Sequence, residues 1–349
     1  MSDATPRPTL KDVAREAKVH FTTVSLALRG NPRIPAATRE RIVRIAGQMG
    51  YRRDPVFMAL TLRRIRTRTA GVRPRLAFLT NRPNQAAFDE AVYLRYFYEG
   101  ARTRAAALGY ECDLVFVGGR RGPADGLEEQ LQQAHCEGLI VGALQPQFET
   151  VQLDWSRYAL VKIDTRFMEP AAAVVSNDQM QVARLAFQRL RALGYRRIGL
   201  AVGQSDEAAT QDLWAGACLI EQAGRPEGER VPPLHFGLRE GPPHIAPRLR
   251  HWVERHGVDA VISTWGNIPD MVRAAGFRVP NELACACLSL DRPNPRLAGV
   301  IQNHGLVGQK AAEIVALNLK TEQRGIPPRA YATYVAGSWQ DGASAPRRP

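Results

Sequence analysis

Between Thr9 and Tyr51 the apolar residues recur at helical spacing in three short runs, with breaks between them short enough to force a tight helical unit. Thr9 and Asp12 give the first run a capping-box start, a side-chain acceptor with an acid three residues on. Leu10, Val13, Ala14 and Ala17 follow at i, i+3, i+4 and i+7 and predict one buried stripe. Lys18-Val19 makes the turn, and a second helix is expected from about His20 to Leu28. Val24, Ala27 and Leu28 face one side of it. Phe21, Thr22, Ser25, Leu26 and Arg29 face the other, a surface with hydroxyls, a ring, a leucine and an arginine but no acid. The third helix begins near Pro35, a favoured N1 residue, and carries Ile42, Ile45, Ala46 and Met49 on its core stripe. Gly50 suits the position just after its end. Two helices joined by a turn of about three residues and braced by a third make a helix-turn-helix, which lays its second helix in the major groove of DNA. Three helices of an ordinary bundle would show the same periodicity.

Asp54-Pro55 is an N-cap followed by N1, and the helix it starts, Pro55 to about Leu62, carries Val56, Phe57, Met58, Ala59 and Leu60. So short and apolar a helix is not stable alone in water and needs a partner, unless it is a plain interdomain linker. Arg63, Arg64, Arg66, Arg68, Arg73 and Arg75 follow before the first core strand. They form a longer hinge helix, an arginine strap that tracks phosphates, or a solvated linker.

The strings TLKDVAREAKV, TTVSLAL, TRERI and GY, in that order and at fixed offsets from Thr9 to Tyr51, resemble the DNA-binding headpiece of the lactose-repressor (LacI/GalR) family. The resemblance implies DNA contacts at Thr9, His20, Phe21, Thr22, Thr23, Ser25, Leu26, Arg29 and Arg33. It makes the helix from Pro55 the family's hinge helix, which folds when two copies pair over the minor groove and push a leucine between base steps. Leu60 stands at that position, with Val56, Arg63 and Arg64 as further expected contacts. Three departures stand out. Family members often carry Ser at the His20 position and Arg or His at the Leu26 position. A leucine there reads a thymine methyl or nothing, so Phe21 and Thr22 carry more of the base contact, with Arg29 and Arg33 toward backbone or base edges. The family also reaches its first core strand within a few residues of the hinge leucine, where residues 61–75 intervene in this chain.

Charge supports the same end of the chain. Residues 1–75 hold 17 Lys and Arg against 5 Asp and Glu, a net of +12, whereas the whole chain is +13, leaving +1 for the rest. Such a local excess binds polyanions by counterion release. A membrane surface is the weaker polyanion candidate, because the apolar stripes are used in packing. No run of 18 apolar residues is present, and MSDATPRPTLKD lacks an apolar signal core, so neither a membrane span nor a secretory signal is expected. The five cysteines, Cys112, Cys136, Cys218, Cys285 and Cys287, form no CxxC pair and suit a reducing cytoplasm. Cys285 and Cys287 lie on one face of an apolar strand and read as core.

From Leu76 strands and helices alternate. Strands are expected at LAFLTN, LVFV, LIVGA, ALVKID, IGLAVG, DAVIST, ACACLSLD and GVIQN, with helices ending at Gly109, at Cys136 and at Leu193. This rhythm predicts parallel sheets covered by helices. Ala107-Leu108-Gly109-Tyr110 and Ala192-Leu193-Gly194-Tyr195 echo each other, as two similar lobes or by chance. The fold class expected is therefore α/β, two doubly wound parallel-sheet lobes of the periplasmic-binding-protein kind that the resembled family carries, behind an all-α helix-turn-helix domain. The expected division is a headpiece at 1–53, hinge helix and linker at 54–75, and a core at 76–341. Within the core, lobe one takes about 76–175 plus 304–333 and lobe two about 176–302 plus 334–341, with a tail at 342–349.

In parallel sheets ligands lie outside the carboxyl ends of strands. Those ends are Asn81, Asp164, Thr264-Trp265, Asp291 and Gln302. By the resemblance, Asp164, Trp265, Asp291 and Gln302 are positions that face an effector; Asn81 and Trp214 complete the candidate set. Aspartates accept hydroxyls and tryptophan stacks on apolar sugar faces, so a small sugar-like effector is implied, with strand-end capping or interlobe bridging as the alternative for the aspartates. Sugar-responsive members carry an arginine where this chain has Leu213, and Asn or Asp where it has Trp265-Gly266, which points to a more aromatic effector or to none.

The function expected is a sequence-specific transcriptional regulator, a repressor, binding a pseudo-palindromic operator in double-stranded DNA as a homodimer in the cytoplasm, controlled by a small effector between the lobes. The alternative is an effector-independent architectural DNA binder whose core only dimerises. No P-loop, GxGxxG, G-x-S-x-G or HExxH occurs, so no enzyme, cofactor or metal is expected.

Overall fold

The computed structural model describes residues 8–28, 34–51, 74–117, 126–144, 153–164, 169–237 and 242–348. Arg29, Arg33, Val56, Leu60, Arg63, Arg64 and the rest of the hinge and arginine strap as far as Arg73 lie outside these residues; Arg75, the last arginine assigned to the strap, is instead the first residue of the first core strand. The chain divides into two compact units, one ending at residue 72 and the other starting at 73.

In the first unit α1 (Leu10–Glu16), α2 (Phe21–Leu28) and α3 (Ala36–Gln48) enclose Val13, Ala14, Ala17, Val24, Ala27, Ile42 and Ala46. Four of these seven are alanines, so the helices approach closely and Val13, Val24 and Ile42 fill the space between them. The capping box forms: the Asp12 amide donates to Thr9 Oγ1 at 3.3 Å and the Thr9 amide to Asp12 Oδ2 at 2.8 Å. Between α1 and α2 the chain turns through Lys18, which adopts φ +51°, and the Val19 amide reaches back to the Ala14 carbonyl at 3.1 Å. Pro35 is the N-cap of α3 rather than its first residue: its carbonyl already accepts from the Arg39 amide at 2.9 Å. Gly50, at φ +67°, ends α3, with the Tyr51 amide bonded to the Ala46 carbonyl.

The second unit opens with β1 (Arg75–Thr80), α4 (Gln85–Glu90), α5 (Val92–Leu108), β2 (Glu111–Phe116), α6 (Leu127–Gln133), β3 (Cys136–Val141), β4 (Ala159–Ile163) and β5 (Val174–Asn177). It continues through α7 (Gln179–Ala192), β6 (Ile198–Gly203), α8 (Gln204–Thr210), α9 (Leu213–Ala223), β7 (Leu234–Phe236), α10 (Pro242–His256), β8 (Ala260–Ser263), α11 (Ile268–Ala274), β9 (Ala284–Leu290) and β10 (Ala298–Ile301). It closes with α12 (His304–Lys320), β11 (Ala332–Val335) and β12 (Ser338–Gln340).

Two six-stranded sheets result, ordered β2-β1-β3-β4-β5-β11 and β7-β6-β8-β9-β10-β12. Every pair is parallel except β10 with β12. Central strands such as β4, β6 and β8 are buried along their whole length, as helices on both faces require. Cys285 and Cys287 are buried in β9, and burial pushes both thiols up to about 12. The β2 strand begins three residues earlier than its apolar run, because Arg75 holds Asp113 at 2.8 Å and Glu111 at 3.2 Å along this polar edge.

The two sheets repeat one order, but the Ala-Leu-Gly-Tyr echo does not mark equivalent places. One copy joins α5 to edge strand β2 and the other joins α7 to inner strand β6. What the copies share is a helix end: Gly109 at φ +86° and Gly194 at φ +100°, each followed by a tyrosine whose amide caps the preceding helix. The chain passes between the sheets three times, after β5, β10 and β11. These strands leave at their carboxyl ends, so the carboxyl edges of both sheets face each other across a cleft. Residues 342–348, which the sequence sets apart as a tail, are strapped to the second sheet. Ser344 Oγ donates to the Cys285 carbonyl at 2.7 Å, and Arg348 meets Asp259 at 3.1 Å over the Tyr195 ring. Among the described residues no helix is long and apolar enough to cross a membrane.

Candidate nucleic-acid interface and interlobe cleft

The outward face of α2 is what remains once Val24 and Ala27 are buried. Phe21 is 44% exposed and Thr22 is exposed beside it, while Thr23, Ser25 and Leu26 are half-buried. His20 precedes the helix, and its carbonyl accepts from the amides of Thr23 and Val24. Its ring lies 4.4 Å from the Phe21 ring, and its Nδ1 sits 2.8 Å from Thr22 Oγ1. The two apolar residues, three hydroxyls and imidazole on this face include no carboxylate. The basic residues Lys11, Arg15 and Lys18 of the α1 side border the same end of α2. Arg41 Nη1 donates to the Ala17 carbonyl at 3.0 Å and ties α3 to the end of α1, which holds the turn before α2. Thr9 is exposed at the start of α1, with its hydroxyl on Asp12 Oδ2 at 2.6 Å; that bond holds the Asp12 carboxyl below its usual range.

The cleft is built from strand ends, and its polar groups are largely engaged with one another. Gln302, 2% exposed just past β10, donates from Nε2 to the Leu288 carbonyl at 2.7 Å. Its Oε1 accepts from Gln179 Nε2 at 3.0 Å, and Gln179 Oε1 accepts from Trp214 Nε1 at 3.0 Å. Trp214 is thereby a wall of the second lobe's core, 6% exposed among Val182, Leu200 and Ala217. Trp265 stacks on Phe236 with ring centroids 5.3 Å apart and donates its indole N–H to Asp206 Oδ2 at 3.2 Å. Thr264 Oγ1 donates to the same oxygen at 3.1 Å. Asp291 lies 3.2 Å from Nδ1 of buried His304, whose ring meets Phe97 edge-on. Asn81 is buried at the end of β1, and Asp164 is half-buried at the end of β4 with φ +55°.

The structure therefore brings Trp214 and Gln302 into one hydrogen-bonded chain and sets Trp265 against Asp206. Asp206, Glu207, Gln179 and His304 are absent from the sequence-level candidates. Asp206 and Glu207 sit on a short polar helix after β6, where only their place beyond a strand end could have signalled them. Glu207 is 2% exposed. Its Oε1 accepts from the Ala215 amide at 2.6 Å, capping α9, while its Oε2 has no partner, and burial raises its pKa. The lobe crossings are tied to each other. Asn177 Nδ2 donates to the Gln302 carbonyl, Asn303 Nδ2 to the Ala336 carbonyl, and Gln181 exchanges two bonds with Gly337. No cluster of three or more His, Cys, Asp or Glu able to hold a metal occurs among the described residues.

Residues 9–54 match the family model for bacterial regulatory proteins of the lacI family. Residues 87–231 match the model for periplasmic binding proteins and the sugar binding domain of the LacI family. An uncharacterized HTH-type transcriptional regulator from the aml 5' region of Streptomyces limosus is 31% identical over 212 residues, 58% of this chain and 54% of that protein. The chain thus spans about half the length of that relative. The ribose operon repressor of Haemophilus influenzae is 26% identical over 338 residues, 94% of this chain and 95% of its own. A crystal structure of the lac repressor dimer bound to operator and an anti-inducer shares the fold, with a TM-score of 0.54 at 16% identity, covering 97% of this chain and 99% of that one.

Proposed function

The chain belongs to the LacI family of bacterial regulatory proteins, whose members are transcriptional regulators rather than enzymes, and we propose that it is a repressor that binds a pseudo-palindromic operator as a homodimer. The observation that carries this reading is the outer face of α2, acid-free and aromatic-hydroxyl in character, on a three-helix unit within a segment of net charge +12. A site made of exposed Phe21 and Thr22, flanked by Thr23, Ser25 and Leu26, suits base edges in the major groove. Thr9 contributes at the start of the unit, with Arg29 and Arg33 toward the DNA backbone or base edges. Val56 and Leu60 serve a minor-groove wedge, with Arg63 and Arg64 along the backbone. The division into headpiece 1–53, hinge and linker 54–75 and two-lobed core 76–341 belongs to the same proposal, as does action where the chromosome lies. The relatives support it: one is named a ribose operon repressor, and the lac repressor is seen as a dimer on its operator.

The effector in this reading is a small sugar-like or more aromatic molecule between the lobes, near Asn81, Asp164, Trp265, Asp291 and Gln302, with Trp214 as backing. The match to a sugar binding domain supports it. One observation favours the effector-independent alternative: Gln302, Gln179 and Trp214 already satisfy one another, and the Trp265 indole N–H is taken by Asp206. Selection of bound DNA from a random library tests the operator; two inverted half-sites are expected, and the absence of any enriched sequence overturns the reading. Leu60→Ala should then weaken that sequence far more than random DNA, and equal loss on both removes the wedge. A thermal-shift screen of sugars and aromatic glycosides decides the effector: a shift with loss or gain of DNA affinity supports control, and no shift supports the alternative.

A further inference from the structure

The geometry at the start of α2 points to a fixed hydrogen-bond polarity: we propose that His20 makes the Thr22 hydroxyl an acceptor-only reader, so that the operator carries adenine or cytosine beneath it. A threonine hydroxyl ordinarily donates or accepts, and so distinguishes bases poorly. Here its rotor is not free. The Thr22 backbone N–H, which can only donate, points at His20 Nδ1 over 3.4 Å. That nitrogen therefore presents its lone pair. Thr22 Oγ1 lies 2.8 Å from the same Nδ1, so the hydroxyl proton is directed into the ring. With Nδ1 accepting, the N–H of the ring is the one on Nε2. What Thr22 offers outward is a pair of oxygen lone pairs.

The placement makes this matter. Thr22 is exposed at the first turn of α2, where residues of a recognition helix reach base edges. The His20 carbonyl accepts from the Thr23 and Val24 amides at 2.9 and 3.2 Å, so the histidine is the helix N-cap and its backbone position is set. The Phe21 ring, 4.4 Å away, packs on the imidazole and limits its rotation. Adenine N6 and cytosine N4 present donors in the major groove, whereas guanine O6 and N7 and thymine O4 present acceptors that oppose the hydroxyl lone pairs. His20 is thus a positioning residue for specificity, acting through Thr22. The inference rests on the reading of α2 as the helix that enters the major groove.

The test is library selection on the full chain followed by affinities for single-base operator variants. Thr22→Val locates the base read by the hydroxyl, as the position whose preference it alters. Wild type should favour adenine or cytosine there over guanine and thymine by about tenfold, the loss typical of one mismatched pair. His20→Ala frees the rotor and should flatten that preference, leaving other positions of the operator unchanged. His20→Asn, whose carbonyl oxygen can accept from the same amide and hydroxyl, should restore it. A guanine or thymine at that position overturns the proposal, as does an amino-base preference that survives His20→Ala, or no position altered by Thr22→Val. Failure to enrich any sequence instead overturns the operator reading itself, so the two failures are distinct.

Discussion

On the outer face of α2, Thr22 and Phe21 stand in solvent, whereas in the interlobe cleft Gln302 has both ends of its amide bonded to other parts of the chain. The first surface is assembled from neighbours in sequence. The second is assembled from groups far apart: Gln179 and Gln302 are separated by 123 residues, and Asp206 and Trp265 by 59. A surface built to meet a large partner leaves its polar groups outward. A cleft that must hold two lobes in register uses them inward, and any ligand entering it competes with bonds already made.

Salt is the strongest way to break this contrast. If the first unit meets DNA through its positive charge, affinity should fall by about a thousandfold between 50 and 200 mM salt, measured by gel shift. A nearly flat response would remove the polyanion reading. Next in size is Ile42→Ala, which deletes the largest buried side chain of the helical unit. It should cost that unit about 3 kcal/mol and abolish operator binding, while the unfolding transition of the two-sheet unit stays in place. A common shift of both transitions would couple units that differ in construction. In the cleft, Gln302→Ala leaves the Leu288 carbonyl and Gln179 without their partner and should cost about 2 kcal/mol by urea unfolding. No loss would mean that Gln302 is free for a ligand after all.

Glu207 sharpens the comparison through pH. Burial raises its pKa, so the folded chain binds this proton more tightly than the unfolded chain. That contribution is fully present below the unfolded value of 4.5 and is lost as pH rises through the folded value. Glu207→Gln, which cannot ionise, should therefore gain on wild type as pH is raised above that range, read as a rising difference in urea midpoint. Stability curves that stay parallel across that range would place the carboxylate in a wetter site. The smallest effect is at the turn before α2. Lys18 adopts φ +51°, a conformation glycine takes without strain, and Lys18→Gly should stabilise the helical unit by about 0.5–1 kcal/mol in thermal unfolding. A loss instead would show that the lysine side chain supports the turn.

Much of the helical unit was legible in its residues. The capping box at Thr9 and Asp12, the stripe through Val13 and Ala17 and the glycine end at Gly50 all depend on partners within about one helical turn. The central strands were legible for a related reason, since burial on both faces leaves an apolar run. The edge strands β7, β11 and β12 were not, being three or four residues long and partly exposed. The aspartate that holds Trp265 was equally hidden, because an acid in a polar stretch has no signature until a strand 59 residues away comes to rest beside it. The aromatic character of the cleft could be read from Trp265, but not its stacking on Phe236. Local spacing alone settled the helical unit and the α/β alternation, because helix caps and buried stripes are short-range. Only the tertiary structure decided which cleft groups are already bonded, because hydrogen bonds across a sheet edge join residues that the chain keeps far apart.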